Sequence, residues 1–301
     1  MQFAYIFSIL AIFFFSTLEF TGKIIGSEIS PLAVTSYRFF IGSLILAIPA
    51  LIQIHKKHMI TGLKDIFNLA VPGIINITVS MYLLQLAIFY GKALIAAILI
   101  SSNSIFVSLL AYFILNEKIS RVRLIGILAG IAGMILVVIG NQGIDETPAK
   151  SVSLGIIFSM MASVSFALFT VLAKKNIHRY GAIVFNCISF FIGAFVLLII
   201  GFLLKVDLTF SPNIKNISAL LYLGIVVTGL AYILYSKGLQ KIDASLTSMF
   251  FLLKPVFASF LAVLILKETF SAWQGFGLFL ILGGLSLEQI IKLISGKNHR
   301  K

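Results

Sequence analysis

Three charged side chains that lie within long apolar segments are the first candidates for chemistry in this sequence. Glu19 and Arg38 lie near the ends of the first two segments. At a rise of about 1.5 Å per residue, both are about 10 Å from the same membrane surface, so they can meet. Lys254 lies near the centre of the ninth segment and is followed by Pro255. A central lysine or arginine costs about 2.5–3.5 kcal/mol on insertion scales, which makes each of these charges a candidate functional group.

The pair of Glu19 and Arg38 has two interpretations. It is either a gate or ion-coupling pair, with Glu19 as a proton carrier, or a static ion pair that joins two helices. Pro255 removes a backbone hydrogen bond, so we expect a helix kink beside Lys254 and free carbonyl groups that line a cavity.

The sequence offers no catalytic constellation. All four histidines lie in predicted loops or in the tail, so no histidine within a span is available to activate a serine. The sequence has no G-x-x-x-x-G-K-[ST] phosphate-binding element. Its single cysteine, Cys187, excludes a disulfide framework and a cysteine-based metal cage. We therefore predict that the protein is not an enzyme and has no catalytic residue, metal site or cofactor.

The composition identifies the lipid bilayer as the solvent. Of 301 residues, 60% are apolar and 11% are charged, whereas a soluble domain has about 25% charged residues. At about 20 residues per span, this length allows about ten helices. The net charge of +13 comes from basic residues in short loops, which indicates topology signals and not a nucleic-acid surface. The predicted spans are residues 2–25, 32–54, 66–90, 93–115, 124–141, 153–173, 182–204, 217–238, 244–266 and 272–293.

The distribution of basic residues predicts the orientation. If the N-terminus is cytoplasmic, the cytoplasmic loops hold most of the lysines and arginines, such as Lys56, Lys57, Arg121 and Arg123. The positive-inside rule then places both termini in the cytoplasm. We expect a multi-pass protein of the plasma (inner) membrane.

The sequence repeats itself after 151 residues without a gap. FFIG at residues 39–42 recurs at residues 190–193, and Gly73 and Glu117 correspond to Gly224 and Glu268. We predict a first five-helix unit at residues 1–147, a second at 152–293, and a basic cytoplasmic tail at 294–301. Because each unit has an odd number of spans, the second enters the membrane from the opposite side. The predicted fold class is an all-α polytopic membrane protein of about ten transmembrane helices in two inverted five-helix repeats, which is typical of secondary transporters.

The repeat predicts a substrate site near the membrane midplane. Lys254 corresponds to Asn103, which follows Ser102, and inverted repeats bring such positions to a central site. We expect Lys254 to offer its positive charge to an anionic group such as a carboxylate. Alternatively, Lys254 pairs with Glu19 or points into a water-filled gap. Further candidates for substrate contact are Tyr82 and Tyr232.

Several glycines and a glutamate near the ends of the two units are expected to have structural roles, in helix packing and in helix capping. Gly126 and Gly133, with Gly277 and Gly284, indicate close packing of spans five and ten. Such a surface could also support dimerisation, so a monomer and a homodimer both stay open. Glu117 is expected to cap the N-terminus of the helix that follows it.

The two units end alike, with an apolar helix, a glutamate and a helix that carries spaced glycines. These stretches read SIFVSLLAYFILNEKISRVRLIGILAGIAG and PVFASFLAVLILKETFSAWQGFGLFLILGG. Together with Lys23, Pro31 and Arg38, they resemble the drug/metabolite transporter superfamily and, within it, the EamA family of ten-span proteins. The resemblance covers nearly the whole chain, although Ser104 stands where the family has a proline. It implies export or exchange of small metabolites, often amino acids.

We therefore predict a secondary transporter for a small polar metabolite, an amino acid or a related compound. It would export this compound across the plasma membrane by alternating access at the repeat interface. Two alternatives stay open: a membrane binding or scaffold protein without transport, and a flippase for a lipid-linked substrate, which needs a lateral opening to the bilayer. The expected partners are a small-molecule substrate and the lipid bilayer, and nucleic acid is not among them.

Overall fold

The computed structural model describes residues 2–25, 28–57, 62–91, 93–140, 151–257, 260 and 272–294. Across these residues the chain forms helices and no β-strand. A helix satisfies its own backbone hydrogen bonds, which the interior of a bilayer requires. Residue 268 and most of the predicted tail lie outside the described residues.

Most predicted apolar segments fold as one helix or as two helical pieces in series. Residues 74–81 and 223–230 are π-helical, and Phe250–Leu253 is a 3-10 helix. The α-helices, numbered in chain order, are α1 (Gln2–Phe15), α2 (Leu18–Ile25), α3 (Pro31–Lys57), α4 (Leu63–Gly73), α5 (Tyr82–Tyr90), α6 (Ala93–Ser101), α7 (Asn103–Leu115), α8 (Arg121–Gly140), α9 (Val152–Tyr180), α10 (Ala182–Leu203), α11 (Ile214–Tyr222), α12 (Ala231–Lys241), α13 (Ala244–Met249) and α14 (Ala272–Ile294).

Among the described residues, six helical stretches are long and apolar enough to cross a membrane. Shorter apolar helices cover Leu99–Leu115, Ala244–Phe257 and Gly275–Gly284. The chain is an all-α, multi-pass membrane protein, whereas the count of ten spans and the inverted arrangement stay predictions. The six long stretches are Phe3–Gly22, Pro31–Lys56, Leu63–Tyr90, Ser153–Tyr180, Ala182–Leu203 and Ile214–Lys241.

The outward surface of the bundle is apolar. Large side chains that are mostly exposed include Phe3, Phe67, Phe113 and Phe202. Extensive exposed apolar surface marks a membrane or a protein contact. Its spread over helices from both halves of the chain agrees with a bundle that is surrounded by lipid.

The first span is broken between α1 and α2. The hydroxyl of Ser16 donates a hydrogen bond to the carbonyl oxygen of Phe13, and the hydroxyl of Thr17 donates one to that of Phe14. Side-chain hydroxyls that bond back to the preceding turn often bend helices. The break places Glu19 in the first turn of α2, where the helix dipole favours a carboxylate.

The third and eighth spans each contain a π-helical segment in the middle. Ile74–Met81 lies between α4 and α5, and Leu223–Leu230 lies between α11 and α12. The first π-helical segment contains Asn76, and Tyr232 follows the second. Short π-helical segments within α-helices are frequent at functional sites, and both segments pack near the centre of this bundle.

Helices α8 and α14 pack with their backbones in close contact. A Cβ added to Gly126 would lie 2.4 Å from the carbonyl oxygen of Gly284, and one added to Gly133 would lie 2.5 Å from that of Gly277. Small residues are what allow such an approach. The prediction of close packing between these glycines is confirmed.

A second pair of glycine contacts joins the two halves of the chain. A Cβ on Gly193 would lie 2.4 Å from the carbonyl oxygen of Gly73, and one on Gly42 would lie 3.3 Å from that of Gly224. Shifting Gly42 and Gly73 by 151 residues gives Gly193 and Gly224. These two contacts are therefore related by the same shift of 151 residues.

Candidate functional site

A small cavity lies between the two halves of the chain, at the centre of the bundle. Its volume is about 20 Å³, which is room for about one water molecule. Arg38 and Lys254 supply its charged wall. Aromatic rings from both halves form much of the rest, namely those of Phe15, Phe166, Tyr232 and Phe251.

Lys254 forms a buried ion pair with Glu19. Its Nζ donates a hydrogen bond to Oε1 of the carboxylate, and Lys254 and Glu19 are 2% and 5% exposed. The expectation that Glu19 meets Arg38 in an ion pair is therefore wrong. The alternative prediction, in which Lys254 pairs with Glu19, is the one that the structure contains. Removing one partner of such a pair leaves a buried charge without compensation.

Arg38 is buried, and no carboxylate among the described residues forms an ion pair with it, although Glu19 interacts with it electrostatically at longer range. Arg38 lies on α3 and is 1% exposed, and its Cζ is 4.7 Å from the centre of the Phe39 ring. Its Nε and Nη2 atoms have no hydrogen-bond partner among the residues that the structure describes. Cation–π contact compensates part of the desolvation of a guanidinium, but it leaves these two donors unsatisfied.

Tyr232 is the centre of an aromatic cluster beside the cavity. Its ring centre lies 4.9 Å from those of Phe15 and Phe190 and 5.6 Å from that of Phe39. Its hydroxyl is 3.5 Å from the side-chain amide of Asn76. Edge-to-face ring pairs at such distances fix the orientation of each ring. The structure thus places Tyr232 at the cavity, where the sequence predicts a substrate contact.

Three other predicted site residues do not line this cavity: Asn103, Ser102 and Tyr82. The amide nitrogen of Asn103 donates to the carbonyl oxygen of Ile100 at 2.7 Å, and the hydroxyl of Ser102 donates to that of Leu99 at 2.6 Å. The break between α6 and α7 leaves these carbonyl groups without helical partners, and the two side chains satisfy them. That Asn103 and Lys254 line one substrate site stays a prediction.

The helix geometry changes immediately before Pro255. Phe250–Leu253 is a 3-10 helix, and residues 254–257 return to α-helix. Proline provides no N–H for the i−4 carbonyl and crowds the preceding turn, so a local change is expected at this place. This tightened turn sets the position of Lys254 opposite α2.

Polar contacts join the two halves at one end of the bundle, which the predicted topology places outside. Glu28 accepts hydrogen bonds from Lys215 at 2.7 Å, from Asn216 at 2.9 Å and from Asn213 at 3.3 Å. These bonds, with that of Lys215 the strongest, lower the pKa of the Glu28 carboxyl from 4.5 to about 2. The Ser30 hydroxyl also donates to the carbonyl oxygen of Asp207 at 2.7 Å.

A second set of contacts joins the two halves at the opposite end. The Glu117 carboxylate accepts the backbone N–H groups of Ala244 at 2.8 Å and Ser245 at 3.2 Å. Glu117 thus caps α13 in the other half of the chain, and the expectation that it caps the helix following it is wrong. Nearby, Arg123 forms an ion pair with Asp243 at 3.2 Å. Helix α13 leads into the segment that carries Lys254.

The aromatic wall of the cavity escapes prediction from sequence. The chain has 28 phenylalanines, and the run at residues 13–15 reads as ordinary packing or lipid contact. Phe15, Phe166 and Phe251 reach the cavity because of how their helices are rotated in the bundle. An apolar helix gives no periodic signal for that rotation, since both of its faces are apolar.

A multi-pass helical bundle with buried charges around a central cavity defines the protein as a membrane transporter. The EamA-like transporter family matches residues 2–139 and again residues 153–287, and the chain belongs to this family. An uncharacterized transporter of Clostridium kluyveri is 36% identical over 289 residues, covering 95% of this chain and 93% of the relative.

Other comparisons agree with this family. The uncharacterized transporter YetK of Bacillus subtilis is 29% identical, covering 90% of this chain and 82% of the relative. A protein of known crystal structure, 19% identical, superposes with a TM-score of 0.77 and covers 96% of each chain. At that identity the likeness shows the shared fold alone.

Proposed function

We propose that the protein is a secondary transporter that exports a small polar metabolite, an amino acid or a related compound, across the plasma membrane. The central cavity carries this proposal, because it joins both halves of the chain and is lined by Arg38 and Lys254. Buried charge within spans is costly and marks substrate and ion pathways in transporters. The export direction rests on the family resemblance, and the cytoplasmic position of both termini rests on the basic loops.

Alternating access is the mechanism that suits the contacts around the cavity. A volume of about 20 Å³ is far too small for a metabolite, so substrate enters only when one end opens. The contacts of Glu28 close one end, and those of Glu117 close the other. Because the two sets share no residue, either can break while the other holds, which is how a transporter avoids an open pore.

We assign ion coupling to the pair of Glu19 and Lys254. Protonation of Glu19 would cancel its charge and release Lys254, and the pair joins α2 to the segment that follows α13. A proton could therefore change the packing between the halves, which is a local electrostatic event with a global result. Arg38 and Tyr232 are then the residues in contact with substrate.

A lipid-linked substrate is a second candidate, favoured by one observation. An apolar cavity of about 250 Å³ between α3 and α11 is lined by Tyr37, Phe40, Phe210, Ile217 and Leu221, among others. It lies beside exposed side chains that face lipid and shares no lining residue with the central cavity. It could take an acyl chain, but no charged side chain lines it to receive a headgroup.

Counterflow in proteoliposomes tests the proposal. Vesicles with the full chain are loaded with one unlabelled amino acid, amine, nucleoside or sugar phosphate, and the uptake of the same labelled compound is measured. We expect exchange of at least one compound and a loss of about tenfold or more in Lys254→Ala. Lys64→Ala, which removes an exposed lysine, is the matched control. Folded protein that exchanges nothing would support the scaffold alternative, and movement of a lipid-linked sugar alone would support the flippase.

A further inference from the structure

We infer that the transported compound is an organic anion whose carboxylate or phosphate group binds to the guanidinium of Arg38. This inference rests on the proposed function and names the substrate class of the same cavity. It replaces Lys254 by Arg38 as the anion-binding residue. It follows from the charge balance of the cavity, from the unused donors of Arg38 and from the nature of the remaining wall.

The charges at the cavity do not cancel. Lys254 and Glu19 neutralise each other in their ion pair. Arg38 is 1% exposed, yet no carboxylate of the described chain forms an ion pair with it. Glu19 also interacts electrostatically with Arg38, but one carboxylate balances only one of the two cations. The site therefore carries one net positive charge in a buried environment, where an uncompensated charge is expensive. A bound anion would supply the missing negative charge.

The unused donors of Arg38 have the geometry that an oxyanion requires. Nε and Nη2 both lack an acceptor within the described part of the chain, and these two nitrogens form one edge of the planar guanidinium. The N–H bonds along such an edge run parallel and match the two oxygens of a carboxylate or phosphate. A point charge such as the Lys254 ammonium lacks this match, and its Nζ is already engaged by Glu19.

The rest of the wall suits the apolar part of such a compound. The rings of Phe15, Phe166 and Phe251 face the cavity, and they offer an organic body van der Waals contact without hydrogen bonds. An inorganic anion would use Arg38 and leave this apolar wall unfilled. The ligand that uses both features has an anionic group and a small apolar body.

Ligand-induced stabilisation tests this inference. The unfolding temperature of the purified full chain is followed by intrinsic fluorescence during titration with propionate, benzoate or phenyl phosphate. The uncharged amides propionamide and benzamide, and inorganic phosphate, serve as matched probes. We expect saturable stabilisation by at least one organic anion and by neither amide. Because charge-assisted hydrogen bonds are lost, Arg38→Gln should weaken the binding of that anion about ten- to hundredfold.

Control variants keep the outcomes separate. Arg121→Gln removes an exposed arginine of α8 and should leave anion binding unchanged, whereas Arg38→Lys should recover only part of it. If Arg38→Gln does not fold, the inference is tested by the wild type alone, whose unfolding temperature should rise with an organic anion and not with the matching amide. No stabilisation by any of the organic anions, equal stabilisation by anion and amide, or full binding in a folded Arg38→Gln would overturn the inference.

Failure of the transport proposal gives a different result. Anion binding that depends on Arg38, without counterflow of any anion, would leave the binding site standing and remove transport. Counterflow of an uncharged or cationic compound that is unchanged in Arg38→Gln would leave transport standing and remove the anion site at Arg38.

Discussion

The ammonium of Lys254, in the second half of the chain, donates a hydrogen bond to the carboxylate of Glu19, in the first half. Both side chains are almost fully buried at the centre of the bundle. The break after Phe15 places Glu19 in a new helical turn, and the 3-10 helix before Pro255 places Lys254 opposite it. This pair is a point at which a change in charge would alter the contact between the halves.

Replacing Glu19 by Gln should destabilise the protein and stop coupled transport. The substitution leaves the Lys254 ammonium buried without a counter-charge, which costs about 3–5 kcal/mol when one partner of a buried pair is removed. The free energy of unfolding in detergent and the counterflow rate measure the two effects.

The double variant Glu19→Gln with Lys254→Met separates structure from transport. Replacing both partners by uncharged side chains of similar size is often neutral, so stability should return. Transport should stay lost. If the single variants are as stable and as active as the wild type, the pair has neither role.

Two adjacent glycines of α14 should respond oppositely to alanine. A Cβ on Gly284 would lie 2.4 Å from the carbonyl oxygen of Gly126, whereas one on Gly283 would meet nothing within 4 Å. Gly284→Ala should therefore cost about 1–3 kcal/mol through overpacking. Gly283→Ala should be neutral or slightly stabilising, and thermal unfolding compares the two. Equal unfolding temperatures would contradict the close packing of α8 and α14.

The contacts of Glu28 should weaken in acid. Its pKa falls from 4.5 to about 2 in the folded protein, so its stabilising contribution is complete above pH 4.5 and is lost as the pH falls through about 2. Glu28→Gln should unfold at a lower temperature than the wild type at pH 7. This difference should shrink steadily below pH 4.5, and a difference independent of pH would show that the carboxylate does not hold this end.

Removing the Glu117 carboxylate should loosen the opposite end. Glu117→Ala deprives the N–H groups of Ala244 and Ser245 of their acceptor, and the loss of a helix cap costs about 1 kcal/mol. Amide hydrogen exchange should accelerate in residues 244–249 and stay unchanged near Lys215. The exposed neighbour substitution Lys118→Ala is the control, and equal exchange in both variants would contradict a capping role.

Much of the fold can be predicted from the sequence. A segment that crosses a bilayer must satisfy its own backbone hydrogen bonds, so a long apolar segment predicts a helix. The spacing of Gly126 and Gly133 also predicts the packing of α8 on α14. The partner of Glu19 is harder to predict. The position of a residue along its helix predicts the depth of its side chain in the membrane, and Arg38 has about the same predicted depth as Glu19. The position does not predict how each helix is rotated about its axis, and that rotation brings Lys254 nearer to Glu19.

Asn103 does not line the small cavity, for a related reason. Its position in the repeat corresponds to that of Lys254, but the helix breaks at Ser102 and the amide turns back to the carbonyl oxygen of Ile100. Local backbone groups that lose their partners compete with a shared site for a short polar side chain. A repeat in sequence predicts which positions correspond, whereas local breaks decide which of them reach the cavity.

The most direct test of the central claim is the accessibility of the cavity from each side of the membrane. Phe15→Cys is introduced with Cys187→Ser and treated in oriented vesicles with a membrane-impermeant thiol reagent. We predict modification from the cytoplasmic side alone when Glu117→Ala is added, and from the outer side alone when Glu28→Gln is added. Modification from both sides in one variant, or from neither side in both, would contradict a substrate cavity that opens alternately.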